Sequence, residues 1–241
     1  MQFRCDFHIH SALSPCGDMD MTPNNIVNMA VLNGLNMIAV TDHNSAGNVR
    51  AVMACAKGQG LCVVPGMELE TAEEAHFVCL FPTIEAAEAF EAYLLPFAMP
   101  IKNRPEIFGQ QAYMNERDEI TGYEDRLLTT ASGCSIYEAV PKVRALGGLV
   151  IPAHVDKDAY SVISNLGAVP EELGFRTLEI SKNTTKEAVL ARWPELSAYR
   201  LITDSDAHYL WDIYENENTL ELDECSAACL IKTLGSDCTI K

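Results

Sequence analysis

The chain has 241 residues, 48% hydrophobic and 21% charged, which suits one globular domain rather than a disordered or fibrous chain. No apolar run approaches the roughly 20 residues that span a bilayer, which argues against a membrane protein. The formal net charge of -17 argues against a long nucleic-acid footprint, although a small anionic substrate held by bound cations remains compatible with it.

The N-terminal stretch lacks the basic start and apolar run of a signal peptide, so a cytoplasmic location is expected. It reads as a first strand, Phe3–His8. Thr22-Pro23 opens a helix, with Ile26, Val27, Met29, Ala30 and Leu32 as its apolar stripe and Gly34 as its stop. Asn36–Thr41 is a buried strand, and Ser45–Gly58 a helix ended by glycine. Leu61–Pro65 and His76–Phe81 are strands, followed by a helix over Ile84–Leu95. Residues 96–130 break the pattern with Pro96, Pro100, Pro105, Gly109 and Gly122. They read as an insertion near the rim of the fold, either a lid, an oligomer contact or a partly helical surface excursion. Ser135–Leu146 is a helix ended by Gly147-Gly148, and Leu149–Ala153 a strand. The strand Arg176–Ile180, a helix from Thr185 and the strand Leu201–Thr203 continue the alternation.

Strands alternating with helices imply a parallel sheet with helices outside. The repeated unit suggests a closed or nearly closed barrel. A doubly wound sheet is the alternative, but no Gly-rich turn follows the first strand. The whole of residues 1–241 is expected to form one domain, with the insertion at about 96–130.

Nine cysteines are present. Without an export signal they are expected to be reduced. Cys5, Cys55, Cys62 and Cys79 sit in apolar stretches as small core residues. Cys225, Cys229 and Cys238 match no familiar zinc or iron–sulfur spacing, so packing is preferred to a metal clip.

The six histidines carry the strongest signal. All lie in or beside five segments: Asp6-Phe7-His8-Ile9-His10, Thr41-Asp42-His43, Gly66-Met67-Glu68 with His76, Pro152-Ala153-His154, and Asp204-Ser205-Asp206-Ala207-His208. Neutral imidazole is the commonest protein ligand for transition metals. On a strand, His8 and His10 point to one face, and Asp206 and His208 repeat that spacing. Gly66 would let the backbone bend and aim Glu68 inward. His43, Glu68, His154, Asp206 and His208 follow the C-terminal ends of apolar runs, the rim where α/β proteins build their sites. A structural zinc wants four ligands in a closed tetrahedron. This set is larger and suits two or three ions.

The ordered motifs DFHIHS (6–11), TDHN (41–44), GMELE (66–70), HFVCLF (76–81), PAHV (152–155) and SDAH (205–208) resemble the PHP (polymerase and histidinol phosphatase) metal-dependent phosphoesterases. The resemblance implies a distorted (β/α)7 barrel holding two to three divalent ions (Zn, Mn or Fe) at the C-terminal rim of its strands. It implies one site from His8, His10, Glu68 and Asp206, and a second sharing Glu68 with His76 and His154. A third would use His43, His208 and a ligand from the loop after the first strand. Counting back from Thr22-Pro23 favours Asp18 for that ligand, while counting forward from His10 points to Cys16. Asp42 is expected to orient His43 or to cap the next helix.

The reaction so implied is hydrolysis of a phosphate ester by a metal-activated water, with Glu68, Asp206 and His208 as the catalytic candidates. The substrate would be a small phosphorylated metabolite, a nucleotide or a short oligonucleotide, with no stable complex with long nucleic acid. Phosphate would be held by Lys182, the preferred candidate, or Lys157; Arg104 and Arg117 are further cations. An amidohydrolase-type metal hydrolase is one alternative, though such enzymes often bridge their metals with a modified lysine where this chain has Glu68. A non-catalytic metal-binding regulatory module is the other.

Overall fold

The computed structural model describes residues 1–215 and 218–236. Strand β1 (Gln2–Ile9) leads through a long loop to helix α1 (Pro23–Leu32), where the Thr22 hydroxyl accepts from Asn25 N at 3.3 Å. There follow β2 (Met37–Val40), α2 (Val49–Cys55), β3 (Cys62–Glu70), β4 (His76–Leu80) and α3 (Ile84–Leu94). The insertion holds a one-turn helix α4 (Pro105–Phe108) and the hairpin β5 (Ala112–Met114) with β6 (Ile120–Tyr123). Next come α5 (Ile136–Ala145), started by a Ser135–Glu138 capping box, and β7 (Leu149–Pro152). The chain continues with α6 (Val162–Leu166), β8 (Thr177–Ile180), α7 (Lys186–Arg192), β9 (Arg200–Thr203), β10 (Thr219–Glu221) and α8 (Ala227–Gly235).

Three expectations change. Helix α2 is shorter than the span 45–58, because Asn48 is wholly buried and tied elsewhere: its amide donates to Ser11 Oγ and Ala112 O, and its oxygen accepts from Met114 N. Strand β3 runs unbroken through Pro65 and Gly66, with Glu68 opposite Val78. Gly66 therefore serves close packing, since an added Cβ would stand 2.8 Å from Thr41 Cγ2. The sheet is also not all parallel. Only residues 71–75 join β3 to β4, too few for a crossover, so β4 turns back antiparallel.

The main sheet has the order β10-β1-β2-β3-β4-β7, with β1, β2 and β3 parallel and both β10 and β4 antiparallel to their neighbours. Strands β8 and β9 form a parallel pair. Val155 N donates to Glu179 O at 2.9 Å, joining the end of β7 to β8. His10 N donates to Ala207 O at 2.9 Å, joining the end of β1 to the segment after β9. The result is a curled, half-barrel α/β fold. One face of the strands packs on α1, α2, α3 and α5. The other gathers Phe7, Met37, Val64, Leu80 and Ile151 around Leu230 and Leu234 of α8. Helix α8 and β10 were not foreseen from the sequence. No helix among the described residues is long and apolar enough to cross a membrane.

The insertion has its own charged anchor. Glu124 accepts from Arg126 Nη2 at 2.8 Å and from the Tyr113 hydroxyl at 2.7 Å. Burial works against the charge, but Arg126 and Tyr113 win and hold the carboxyl at about 2. Glu124→Gln is expected to destabilise this segment by about 1 kcal/mol. A depressed carboxyl stabilises above its ordinary value of 4.5 and loses that contribution as the pH falls toward about 2. Limited proteolysis should therefore cut faster within 96–130 in the variant at pH 7, and the difference should vanish in strong acid.

Candidate metal centre

Glu68 is buried at the middle of a ring of imidazoles. Its Oε1 lies 2.8 Å from His76 Nδ1 and 3.3 Å from both His8 Nε2 and His154 Nε2. Its Oε2 lies 3.0 Å from His43 Nδ1 and 3.5 Å from His10 Nε2. Asp206 Oδ1 adds a second carboxylate, 3.4 Å from His10 Nε2, 3.6 Å from His8 Nε2 and 3.8 Å from His208 Nδ1. The His10 and His208 rings stack at 4.4 Å. All six histidines of the chain thus meet in one place.

Six strands deliver the histidines and the two carboxylates. β1 ends at His8-Ile9, β3 carries Glu68, and β4 begins at His76. His43 follows β2, and His154 follows β7. Asp206 and His208 leave β9. His154 has φ 30° and Asp206 φ 51°, a left-handed conformation that side chains with a Cβ adopt at a cost of about 1 kcal/mol or more. Such strain persists only where surrounding bonds hold it.

The donor set fits divalent cations. His8 Nε2, His10 Nε2, His43 Nδ1 and Glu68 Oε2 are buried and make no hydrogen bond. Each such group left without a partner costs about 1–3 kcal/mol. These atoms face one another, and a cation is the partner they share. Donor atoms of His8, His10 and Glu68 lie within 4.8 Å of one another, as do those of His43, Glu68 and His76, and those of His10, Cys16, His43 and His208.

The family model of the PHP domain matches residues 6–147, more than half of the chain. The chain belongs to the PHP domain family. Endonuclease Q of Pyrococcus furiosus shares the fold at TM-score 0.73 and 17% identity, covering 98% of this chain and 56% of its own. The chain thus spans little over half the length of that protein. A suspected metal-dependent phosphoesterase from Bifidobacterium adolescentis aligns at TM-score 0.62 and 18% identity, over 98% of this chain and 97% of its own. An amidohydrolase from Chromobacterium violaceum, solved with bound sulfate, aligns at TM-score 0.59 and 18% identity, over 92% and 93%. A search of the curated proteins returned no match.

Behind the donors of this PHP domain stands a layer that sequence reasoning missed. Glu179, buried on β8, holds His8 Nδ1 at 2.9 Å and accepts from His154 N at 3.1 Å. Ser14 Oγ stands 3.0 Å from His10 Nδ1 and donates to Asp42 Oδ1 at 2.7 Å. Asp42 also accepts from Ser11 N and Ser11 Oγ. Through Ser14, whose Oγ also accepts from His43 N at 3.2 Å, it therefore orients both His10 and His43, and Asn48, not Asp42, is the N-cap residue of α2. With Nδ1 of His8 and His10 so engaged, Nε2 is the nitrogen that faces the cluster.

The field of the site is divided. Burial pulls His8 down, but Glu179, then Glu68 and Asp206, outweigh it and raise His8 well above the ordinary imidazole value. Burial, then His208, lowers His10 to about 4. Burial likewise takes His43 well below its usual range. His76, held by Glu68 against burial, rises to about 9. Burial would raise Glu68, but His76, His8 and His43 keep it well below the carboxylate range. Charge that draws protons onto His8 and His76 draws cations for the same reason.

Two expected residues are not among the grouped donors. Asp18 stands beside the cluster, its N donating to His208 O at 2.9 Å, while its Oδ1 accepts from Asp20 N at 2.8 Å; Cys16 is the residue grouped with His10, His43 and His208. Lys182 is turned away: Ser181 N and Oγ are tied to Asp156, and Lys182 Nζ pairs with Asp212 at 3.5 Å. Lys157 is the lysine that lines the cleft, with Nζ 2.6 Å from Asp206 Oδ2. Arg104 and Arg117 pair with Glu106 and Glu119 in the insertion. The eight cysteines described are free, Cys5 and Cys79 are buried in the core, and Cys238 lies outside the described residues.

Proposed function

We propose that the chain is a metal-dependent phosphoesterase built on a distorted (β/α)7 PHP barrel, hydrolysing a small phosphorylated metabolite, nucleotide or short oligonucleotide. The observation that carries this reading is the set of buried, partnerless donor atoms converging on Glu68. His8, His10, Glu68 and Asp206 would hold one ion, and Glu68, His76 and His154 a second. His10, Cys16, His43 and His208 offer the donors of a third region, so a thiolate takes the place expected of Asp18. Ions bound there would supply Lewis acidity, ionising water near neutral pH and neutralising phosphate charge.

The chain's own residues do the rest. Lys157 stands at the cleft edge, 39% exposed, where its ammonium can meet a phosphate oxygen. Glu179 and Ser14 fix the rings of His8 and His10. Asp206 joins the donor cluster to Lys157; burial opposes its charge, but His8 and His10 hold its carboxyl well below the usual carboxylate range, so it serves as an anionic donor. The cleft, about 420 Å³, is of a size that takes a small ester. An amidohydrolase with a bridging lysine fits less well, because Lys157 sits at the edge and Glu68 at the centre.

Protein purified without chelators should carry two to three divalent ions by elemental analysis and hydrolyse phosphate monoesters with added Mn or Zn. His8→Ala and Asp206→Ala should each remove about one ion and lower turnover by about 10²-fold or more. In cobalt(II)-loaded protein, a near-ultraviolet thiolate band should appear and be lost in Cys16→Ser. Metal-loaded protein inert on every ester would reject the phosphoesterase reading. A band unchanged in Cys16→Ser would remove Cys16 from the ligand set.

A further inference from the structure

The cleft is walled by two exposed rings from opposite parts of the sequence. Phe108 of the insertion is 43% exposed and Tyr160 of the loop after β7 is 51% exposed, and both line the cleft that holds Glu68, His154 and Asp206. Neither ring is spent on core packing.

Both are held in place by local structure. Tyr160 has φ 56°, unusual for a bulky side chain. Its carbonyl accepts from His76 N at 2.9 Å, and its ring stacks on His76 at 5.0 Å. Phe108 precedes Gly109, whose φ is 97° and whose added Cβ would lie 2.2 Å from Pro15 O. This close approach seats the end of α4 on the loop that carries Cys16. The insertion is also tied to the cluster from behind. Asn44, next to His43, donates to Leu128 O at 2.8 Å and Thr130 O at 3.1 Å. Buried Gln111 accepts from Leu128 N and donates to Glu124 O. Phe108, Leu127 and Thr129 thus bring the insertion to the wall of the site.

Resting on the phosphoesterase reading, we propose that Phe108 and Tyr160 determine specificity by gripping a planar ring on the organic side of the phosphate ester. The phosphate would lie toward Lys157 and the donor cluster, and the ring between the two aromatic side chains. Aromatic rings have large apolar faces and prefer offset or edge contacts with one another. An aliphatic ester fills the same space with less contact, so the wall selects against it.

The test compares phenyl phosphate with glycerol phosphate on the manganese-loaded protein. The wild type should prefer the phenyl ester in kcat/KM. Phe108→Ala and Tyr160→Ala should each narrow that preference by about 3- to 10-fold, chiefly through KM for the phenyl ester. Trp211→Ala, which removes a 76% exposed ring that does not line the cleft, should leave the preference as it is. An unaltered preference in both cleft variants, or equal losses on the two esters, overturns the proposal. If neither ester is cleaved, the catalytic reading has failed by itself, and calorimetry decides the wall separately. Phenylphosphonate should then bind tighter than methylphosphonate to the wild type and lose that advantage in Phe108→Ala. Equal affinities in the wild type would overturn it.

Discussion

Glu68→Gln is expected to abolish divalent-ion retention and to lower phosphate-ester turnover by about 10²- to 10³-fold. The carboxylate touches five imidazoles, and no other acid in the cluster does. Removing one partner of a buried, hydrogen-bonded charge costs about 3–5 kcal/mol, which is a factor of that size in binding or rate. Elemental analysis after dialysis and a single-turnover assay check it; full metal content in the variant would show that Glu68 is a bystander. A second readout needs no metal. In chelated wild-type protein His76 should titrate near 9, and in the variant it should fall, since Glu68 is the larger of the two carboxylates that raise it against burial, Glu70 being the other. Because the folded value lies above the ordinary 6.5, His76 stabilises the metal-free protein fully below that pH and ceases to as the pH rises through about 9. The variant should show that dependence weakened in a series of thermal melts.

Glu179→Ala is expected to weaken divalent-ion binding by about 10- to 100-fold although Glu179 lies behind the ring of donors. It also leaves His8 Nδ1 and His154 N–H without their buried acceptor, a loss of about 1–3 kcal/mol each. Glu179→Gln should recover most of the fold stability, because an amide oxygen still accepts, but only part of the affinity, because the charge is gone. Isothermal titration with zinc beside chemical denaturation separates the two. Unchanged zinc affinity in Glu179→Ala would reduce the residue to a structural prop.

The donors were legible because each is a polar residue stranded at the end of an apolar run. His8 with His10, and Asp206 with His208, also carry the two-residue spacing of a strand. The supporting layer left a weaker trace. Glu179 sits in the four-residue strand Thr177–Ile180, where a buried carboxylate demands a partner, yet no histidine beside it in sequence hints which. Ser14 was hidden, and Cys16 stood only as the alternative to Asp18, because loop 11–22 has no periodicity; its path is set by bonds from Ser11 and Ser14 to Asp42, which is distant in sequence. The antiparallel β4 followed from the five-residue link that precedes it, a constraint that strand–helix alternation masks. Lys182 was misplaced because position along the chain says nothing about a side chain already paired with a neighbour, whereas Asp18 stands beside His208 but outside the grouped donors.

Strand β1 depends on partners far from it in sequence. Its outer edge pairs with β10, matching Gln2 to Glu221, and the face carrying Phe7 packs in the cluster closed by Leu230 and Leu234. Until β10 and α8 are in place, β1 exposes an open strand edge and half a core. Contacts so far apart in sequence make folding slower than that of a helical bundle of equal size, whose contacts are mostly local.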